Sequence, residues 1–353
     1  MHIGQHPIGS DHRPYLIAEM SGNHNQSLDR ALAIVDAAAD AGADAIKLQT
    51  YTADTMTLDF DGPGFVIDDP ASLWAGRKLH DLYHEAHTPW DWHGPIFERA
   101  AARGLQCFST PFDDSAVDFL QSLDAPAYKI ASFECTDLPL VRKVAATGKP
   151  MIISTGMASL AEIDAVVRTA RQAGCRELVL LKCTSTYPAT PAHTNLRSIP
   201  VMRQAFGCEV GLSDHTMGCG AALAAVALGA TVIEKHFTLA RADGGVDSAF
   251  SLEPDEFRQL RVESQRAWEA LGAVVFGGTA AETASRAFRR SLYVVKPLAQ
   301  GERLTLDNVR AIRPGHGLPP AEWERLAGAR VARPVAAGTP LQWALIKDEE
   351  TGA

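Results

Sequence analysis

Short β-type runs alternate with amphipathic helical patterns eight times along the chain, and this alternation restricts the fold more than any other feature. The runs are YLIAEM (15–20), AIKLQTY (45–51), QCFSTPF (106–112), AYKIASF (127–133), PMIISTG (150–156), ELVLLKCTS (177–185), EVGLSDHT (209–216) and TVIEKHF (231–237). Between them, SLDRALAIVDAAADAG places apolar residues at i, i+3, i+4 and i+7 and closes on Gly42. SLAEIDAVVRTARQAG repeats the design, with Ser159 and Glu162 in the pattern of a capping box. Eight such units in about 275 residues predict an α/β fold, a (β/α)8 TIM barrel. A doubly wound open sheet is the alternative, weakened because no GxGxxG follows the first run.

After a last helical stretch near 253–272 the pattern changes. The expected layout is a barrel domain over 1–275, a linker over 276–290 and a small mixed domain over 291–353, whose QGE and AGTP turn signals separate short strands. A unit of that size has a limited core and is expected to lean on the barrel or on a second subunit. One connection, 52–92, is unusually long and contains SLWAGRKLHDLY; it is expected to fold over the barrel mouth.

Charge and composition narrow the partners. A net charge of −9 with 46% hydrophobic and 21% charged residues describes a globular chain and argues against nucleic acid or an anionic membrane surface. The longest apolar stretch, AALAAVALGATVI (221–233), is too short to span a bilayer, and the N-terminal residues lack the pattern of an export signal. Six cysteines are scattered without a CxxC pair, which points to reduced thiols in the cytoplasm, most of them inert and buried.

The ends of the runs carry the chemistry. Lys47 and Gln49, Ser109 and Thr110, Lys129 and Ser132, Ser154 and Thr155 lie at or near four successive strand ends. Lys182, Thr184, Ser185 and Tyr187 follow, then Ser213, Asp214 and His215, and finally Glu234, Lys235 and His236. An apolar strand ending in a hydroxyl or amine is poor core design unless the ring of ends holds a small, densely charged anion such as a phosphate. A single such hydroxyl is explained by a bond to its own backbone; six strands sharing the feature are not. His215 and His236, on neighbouring strands, suit a divalent metal with open positions for substrate oxygens, and His24 is a weaker third candidate. Glu19, Glu134, Asp214, Glu234 and Asp247 supply carboxylates, Asp247 for substrate hydroxyls or for proton transfer. The lysines leave a Schiff-base aldolase open, and a carbohydrate-binding protein with a decayed site is a third reading.

Several motifs in one order resemble the sialic acid synthase family: AEMSGNHNQSLDRA, AIKLQTYTADTMT, YKIASFE, MIISTGMA, LLKCTSTYPA, GLSDHTMG and VIEKHFTL. RPGHGLPP and AAGTPL resemble the antifreeze-like (SAF) domain that ends those chains. The resemblance implies condensation of phosphoenolpyruvate with an N-acetylated amino sugar, with His215 and His236 as ligands of a divalent metal, Mn2+, Mg2+ or Co2+. It implies Lys129, Thr110, Ser132, Ser154 and Ser213 around the phosphate, with Lys47 for the carboxylate or the sugar. Lys182 belongs to the same anion-binding set of strand ends, and Gln49, Tyr187 and Asp247 match sugar-binding positions. Arg313 resembles an arginine lent by the SAF domain of one subunit to the other, which implies a domain-swapped homodimer. NHNQS, with Asn25 where the N-acetylneuraminate and legionaminate branches carry glutamate, is similar to the pseudaminate branch, as are SLWAGRKLHDLYHEAHTPWDWH and RADGGVDSAFSLEP. That branch implies a 2,4-diacetamido-2,4,6-trideoxy-L-altrose acceptor.

Overall fold

The computed structural model of the protein describes residues 1–347. The chain forms two compact units, the first Met1–Gly272 and the second beginning at Ala273.

A two-stranded antiparallel hairpin opens the first unit, β1 (His2–Ile3) and β2 (His6–Pro7). Eight parallel strands then close into a barrel: β3 (Tyr15–Glu19), β4 (Ala45–Thr50), β5 (Gln106–Pro111), β6 (Tyr128–Ile130), β7 (Met151–Ser154), β8 (Leu178–Cys183), β9 (Glu209–Asp214) and β10 (Val232–His236). β10 pairs with β3 to complete the ring, with Glu234 level with Ile17 and His236 level with Glu19. All eight expected runs are strands, trimmed at one or both ends.

The outer layer contains α1 (Leu28–Asp40), the short α2 (Ala53–Met56), α3 (Leu79–Ala86), α4 (Trp90–Ala102), α5 (Asp114–Ser122), α6 (Leu138–Ala146), α7 (Leu160–Gln172), α8 (Ser198–Phe206), α9 (Gly220–Ala227) and α10 (Pro254–Leu271). α1 shows why these segments are helical. Ser27 caps it by accepting from Arg30 N, and Ala31, Ile34, Val35 and Ala38 form one buried stripe against the sheet. The Ser159–Glu162 capping box is present at the start of α7.

Alternation along each strand divides the buried residues into two cores. Outward residues such as Leu16, Ile46, Ile130, Ile153, Leu180 and Ile233 pack on the helices. Inward residues Tyr15, Ile17, Phe108, Ile152, Val179, Leu181 and Val232 fill the lower lumen. Ile3 and Ile8 of the hairpin region join that inner cluster, so the N-terminal end of the barrel is stoppered. Two-residue strands carry no periodicity, and the sequence reading did not include this hairpin. Gly211 marks a close approach inside the sheet, since a Cβ there would lie 2.1 Å from the Val232 carbonyl oxygen.

The second unit has its own small core of Leu292, Val294, Leu298, Leu304, Val309, Leu326, Val331, Val335, Leu341 and Leu345. β11 (Ser291–Val294) pairs antiparallel with β12 (Val309–Ile312), and one short helix, α11 (Trp323–Leu326), packs beside them. The stretch read as a linker contains two 3-10 turns, Ala280–Glu282 and Ala284–Phe288. Residues 348–353, the end of the expected small domain, lie outside the described residues.

Candidate active site

Above the apolar filling, the inward positions become polar. Glu19 (β3), Lys47 and Gln49 (β4), Thr110 (β5), Lys129 (β6), Ser154 (β7), Cys183 (β8), Ser213 (β9), and Glu234 with His236 (β10) share the inward parity. All are buried except Gln49, which is partly exposed.

The lower tier is a charge network. Lys47 Nζ lies 2.8 Å from Glu19 Oε2 and 3.4 Å from Glu234 Oε1, and donates to Thr110 Oγ1 at 3.2 Å. Lys129 Nζ lies 3.5 Å from the same Glu234 oxygen. Gln49 donates to Glu19 Oε1 at 3.0 Å, and Ser213 to Glu234 Oε1 at 3.1 Å. Burial raises the Glu19 carboxyl to about 7, more than Lys47 can offset. Burial works the same way on Glu234, but Lys129 and Lys47 together outweigh it and bring that carboxyl to about 2. Lys47 is held above its usual range because its two carboxylates overcome burial, whereas burial pulls Lys129 down. Two ammonium groups therefore flank one firmly ionised carboxylate.

The upper tier holds the histidines. Their rings lie 5.3 Å apart between centroids, and Tyr187 and Phe250 close around them, at 4.4 Å from His215 and 4.9 Å from His236 respectively. His215 Nδ1 meets the Thr184 carbonyl at 2.9 Å. A carbonyl only accepts, so Nδ1 carries a proton; burial pulls the ring's pKa down, but Cys183 beside it more than offsets this and holds it above the usual value. His236 Nδ1 is buried without a hydrogen-bond partner, 3.6 Å from Asp247 Oδ2. Burial, reinforced by His215 and the lysines, keeps His236 neutral, well below its usual pKa. Asp247, raised by burial, takes a short hydrogen bond from Ser21.

Other polar groups stand unpaired or arranged around open space. Ser154 Oγ and Glu234 Oε2 are buried without hydrogen-bond partners. Ser132 Oγ accepts from Gly156 N at 3.1 Å, and a Cβ on Gly156 would collide with Ser132 and Ser185. An orphaned hydroxyl beside a glycine where a side chain would not fit suits the cradle of an oxyanion. Two imidazoles on neighbouring strands, His236 neutral with an orphaned nitrogen and His215 held through Nδ1, fit a divalent ion that takes its remaining ligands from substrate. They form a pair rather than a closed cage. Among the described residues, one trio of ligand atoms lies within 4.8 Å of one another: Asp59, His80 and Asp81 in the insertion after β4. Lys78 already pairs with Asp59 at 2.6 Å and Asp81 at 3.4 Å, and His80 is engaged by Asp54, so that trio is a surface ion-pair network.

The structure brings together Lys47, Gln49, Thr110, Lys129, Ser154, Ser213, Glu234 and His236, with Ser132, Tyr187, His215 and Asp247 joining from loops. Lys182 is not among them. It has the outward parity of β8, lines a groove of about 970 Å³ with Leu160, Pro191 and Val201, and donates to the Cys183 carbonyl at 2.6 Å. That groove is roomy, but the orphaned polar atoms lie elsewhere. Ser109 also faces outward, 2.6 Å from Thr50 Oγ1, which in turn meets His93. Asp214 and Lys235 face outward as a buried pair. His24 is fully engaged: its Nδ1 accepts from Gln26 N, its Nε2 meets Thr88, and its ring packs on Trp92. Asn25 donates to the Gly244 carbonyl at 3.3 Å on the loop after β10. Arg313 is exposed in the second unit, just after β12.

One residue escaped the sequence reading. Cys183, taken for an inert thiol, has the parity of Val179 and Leu181 and faces the lumen. Burial raises that thiol, but the His215 ring beside it brings it to about 7. Counting parity from Val179 would have found it. Trp74, in the long insertion, donates its indole N–H to the Val246 carbonyl at 2.9 Å and sits 5.9 Å from Tyr187. Trp90 and Trp92 instead pack within the helical layer, Trp90 stacked on Phe119.

The chain is 43% identical over 342 residues to the pseudaminic acid synthase of Campylobacter jejuni, covering 97% of this chain and 98% of that protein. It is 40% identical to the Helicobacter pylori pseudaminic acid synthase, covering 93% and 96%. Among solved structures, the N-acetylneuraminic acid synthetase of Leptospira borgpetersenii superposes with a TM-score of 0.72 at 30% identity, covering 81% of this chain and 94% of that one. Residues 289–347 match the SAF domain and residues 34–276 match the NeuB family, so the chain belongs to the NeuB family.

Proposed function

We propose that the protein is a pseudaminic acid synthase, condensing phosphoenolpyruvate with 2,4-diacetamido-2,4,6-trideoxy-L-altrose and water to give pseudaminate and phosphate. The observation that carries this is the lumenal charge network topped by two histidines, in a chain so similar to named pseudaminic acid synthases.

In this reading Lys129, Thr110, Ser132, Ser154 and Ser213 hold the phosphate and Lys47 the carboxylate of phosphoenolpyruvate. A trianion entering the lumen meets two ammonium groups whose spacing Glu234 maintains, so little reorganisation is needed at the moment of reaction. His215 and His236 would hold the divalent metal. When bound, that ion supplies Lewis-acid polarisation of an oxygen. Gln49, Tyr187, Asn25 and Asp247 orient the open-chain sugar so that its aldehyde carbon faces C3 of phosphoenolpyruvate. The C3–C1 bond forms, the aldehyde oxygen takes a proton, water adds to C2, and phosphate departs by cleavage of the C2–O bond. Asp247, with its raised pKa beside His236, is placed to accept the proton of that water. Lys129 acts as an electrostatic clamp, and no Schiff base forms.

The same reading makes the working form a homodimer in which Arg313 of one copy reaches the acceptor site of the other, with 276–290 as the connecting segment. The six free cysteines suit a reducing cytoplasm. Among the described residues, no helix is long and apolar enough to cross a membrane.

The test is phosphate release from phosphoenolpyruvate with Mn2+, offering the altrose-configured diacetamido sugar and N-acetylmannosamine in parallel, with EDTA controls. Metal-dependent release with the first sugar alone is expected. Release with N-acetylmannosamine moves the protein to the N-acetylneuraminate branch, and a lysine trapped by borohydride with pyruvate replaces the mechanism with that of an aldolase.

A further inference from the structure

β9 and β10 end in parallel triplets, Ser213–Asp214–His215 and Glu234–Lys235–His236. The outer members of each triplet serve the lumen. The middle members point the other way and meet each other, with both side chains fully buried.

Lys235 Nζ lies 3.0 Å from Asp214 Oδ2, donates to the Gly218 carbonyl at 3.0 Å and makes a short bond to the Thr216 carbonyl. All three ammonium donors are therefore used, and all three acceptors belong to the turn 214–218. Asp214 Oδ1 accepts from Thr216 N at 2.9 Å and Thr216 Oγ1 at 2.8 Å, closing the same turn from within. A buried ion pair of this kind gives little net stability, because desolvating an ammonium costs several kcal/mol and apolar replacements are often neutral or better. What it does supply is geometry: one fixed path for the backbone that carries His215. The ring is held separately, by Nδ1 on the Thr184 carbonyl, and the backbone carbonyl of His215 accepts from Ala189 N at 3.0 Å. Lys235 also immediately precedes His236. One side chain thus ties the strand presenting one histidine to the turn presenting the other.

We propose that Lys235 and Asp214 are positioning residues that set the separation of His215 and His236 for a divalent ion. The inference rests on the metal reading of those histidines. Partners bonded directly to a ligand side chain typically cost about 10–100-fold in metal affinity when removed, and the lower end is expected where, as here, the path runs through the backbone.

The experiment is Mn2+ binding by electron paramagnetic resonance on the full chain, without substrates. It compares wild type, Lys235→Met, Asp214→Asn, the double variant and His236→Ala, each checked by circular dichroism and thermal melting. Lys235→Met and Asp214→Asn are expected to fold and to bind Mn2+ about 10-fold or more weakly, with turnover recovering as Mn2+ is raised. The double variant is expected to lose little more than either single, because one device has been removed twice. Should Lys235→Met not fold, Asp214→Asn, which keeps the turn's Oδ1 acceptor, decides alone. A folded variant with Mn2+ affinity within about twofold of wild type overturns the inference while His236→Ala still tests the metal reading. Wild-type protein that binds no Mn2+ removes both.

Discussion

His236 and Glu19 sit level across the β10–β3 pair, and each has a state set by burial. His236 is kept neutral with one nitrogen unpartnered, so His236→Ala removes the proposed ligand without breaking a hydrogen bond. Turnover should be abolished with the far-UV spectrum unchanged; near-normal activity would remove the metal reading. Glu19 is neutral below about pH 7 and anionic above it. On the proposed assignment of Lys47 to the substrate carboxylate, ionised Glu19, 2.8 Å from that ammonium, competes for it. The KM for phosphoenolpyruvate should therefore rise as pH climbs through 7, and Glu19→Gln should flatten that rise. An identical profile in the variant would show that the titration belongs to the substrate or another group. Most of the site is visible in the sequence because strand ends are where a barrel places polar side chains. Lys182, Lys235, Asp214 and Ser109 show the limit of that reasoning. Being near a strand end says nothing of direction, and only the parity set by Leu181 or Glu234 tells lumen from helical layer.

At the scale of elements, β9 and β10 touch closely enough that side-chain volume decides their pairing. Gly211→Ala would drive a Cβ into the Val232 carbonyl, which as backbone cannot move aside. A loss of about 3 kcal/mol is expected, the upper end for overpacking, measured by chemical denaturation. Because the displaced strand carries Glu234 and His236, activity should fall with stability. Ser159→Ala removes the cap of α7 and should cost about 1 kcal/mol, measured by chemical denaturation. The strands and helices were legible because periods of 2 and 3.6 residues are imposed by burial on one face. The hairpin β1–β2 was not, because two-residue strands are fixed by what they pack on rather than by any repeat.

For the whole molecule, the second unit tests the dimeric reading. Arg313→Ala should raise the KM of the sugar more than that of phosphoenolpyruvate; equal effects would argue against a place at the acceptor. If the arginine acts between copies, mixing Arg313→Ala with His236→Ala subunits should restore part of the activity, because each mixed dimer would contain one barrel with both groups. If each copy serves itself, the mixture stays as weak as its parts. The family and branch were legible from motifs, whereas the dimer and the role of Arg313 were read from resemblance alone. The stopper of Ile3, Ile8 and Phe108 has a consequence for kinetics. A tube sealed at one end is a queue: whatever sits deeper must arrive first and leave last. With the lysines below and the histidines at the rim, the anion precedes the sugar, and a sugar that enters early obstructs the door. Steady-state data should show compulsory order, with phosphoenolpyruvate leading and excess sugar inhibiting.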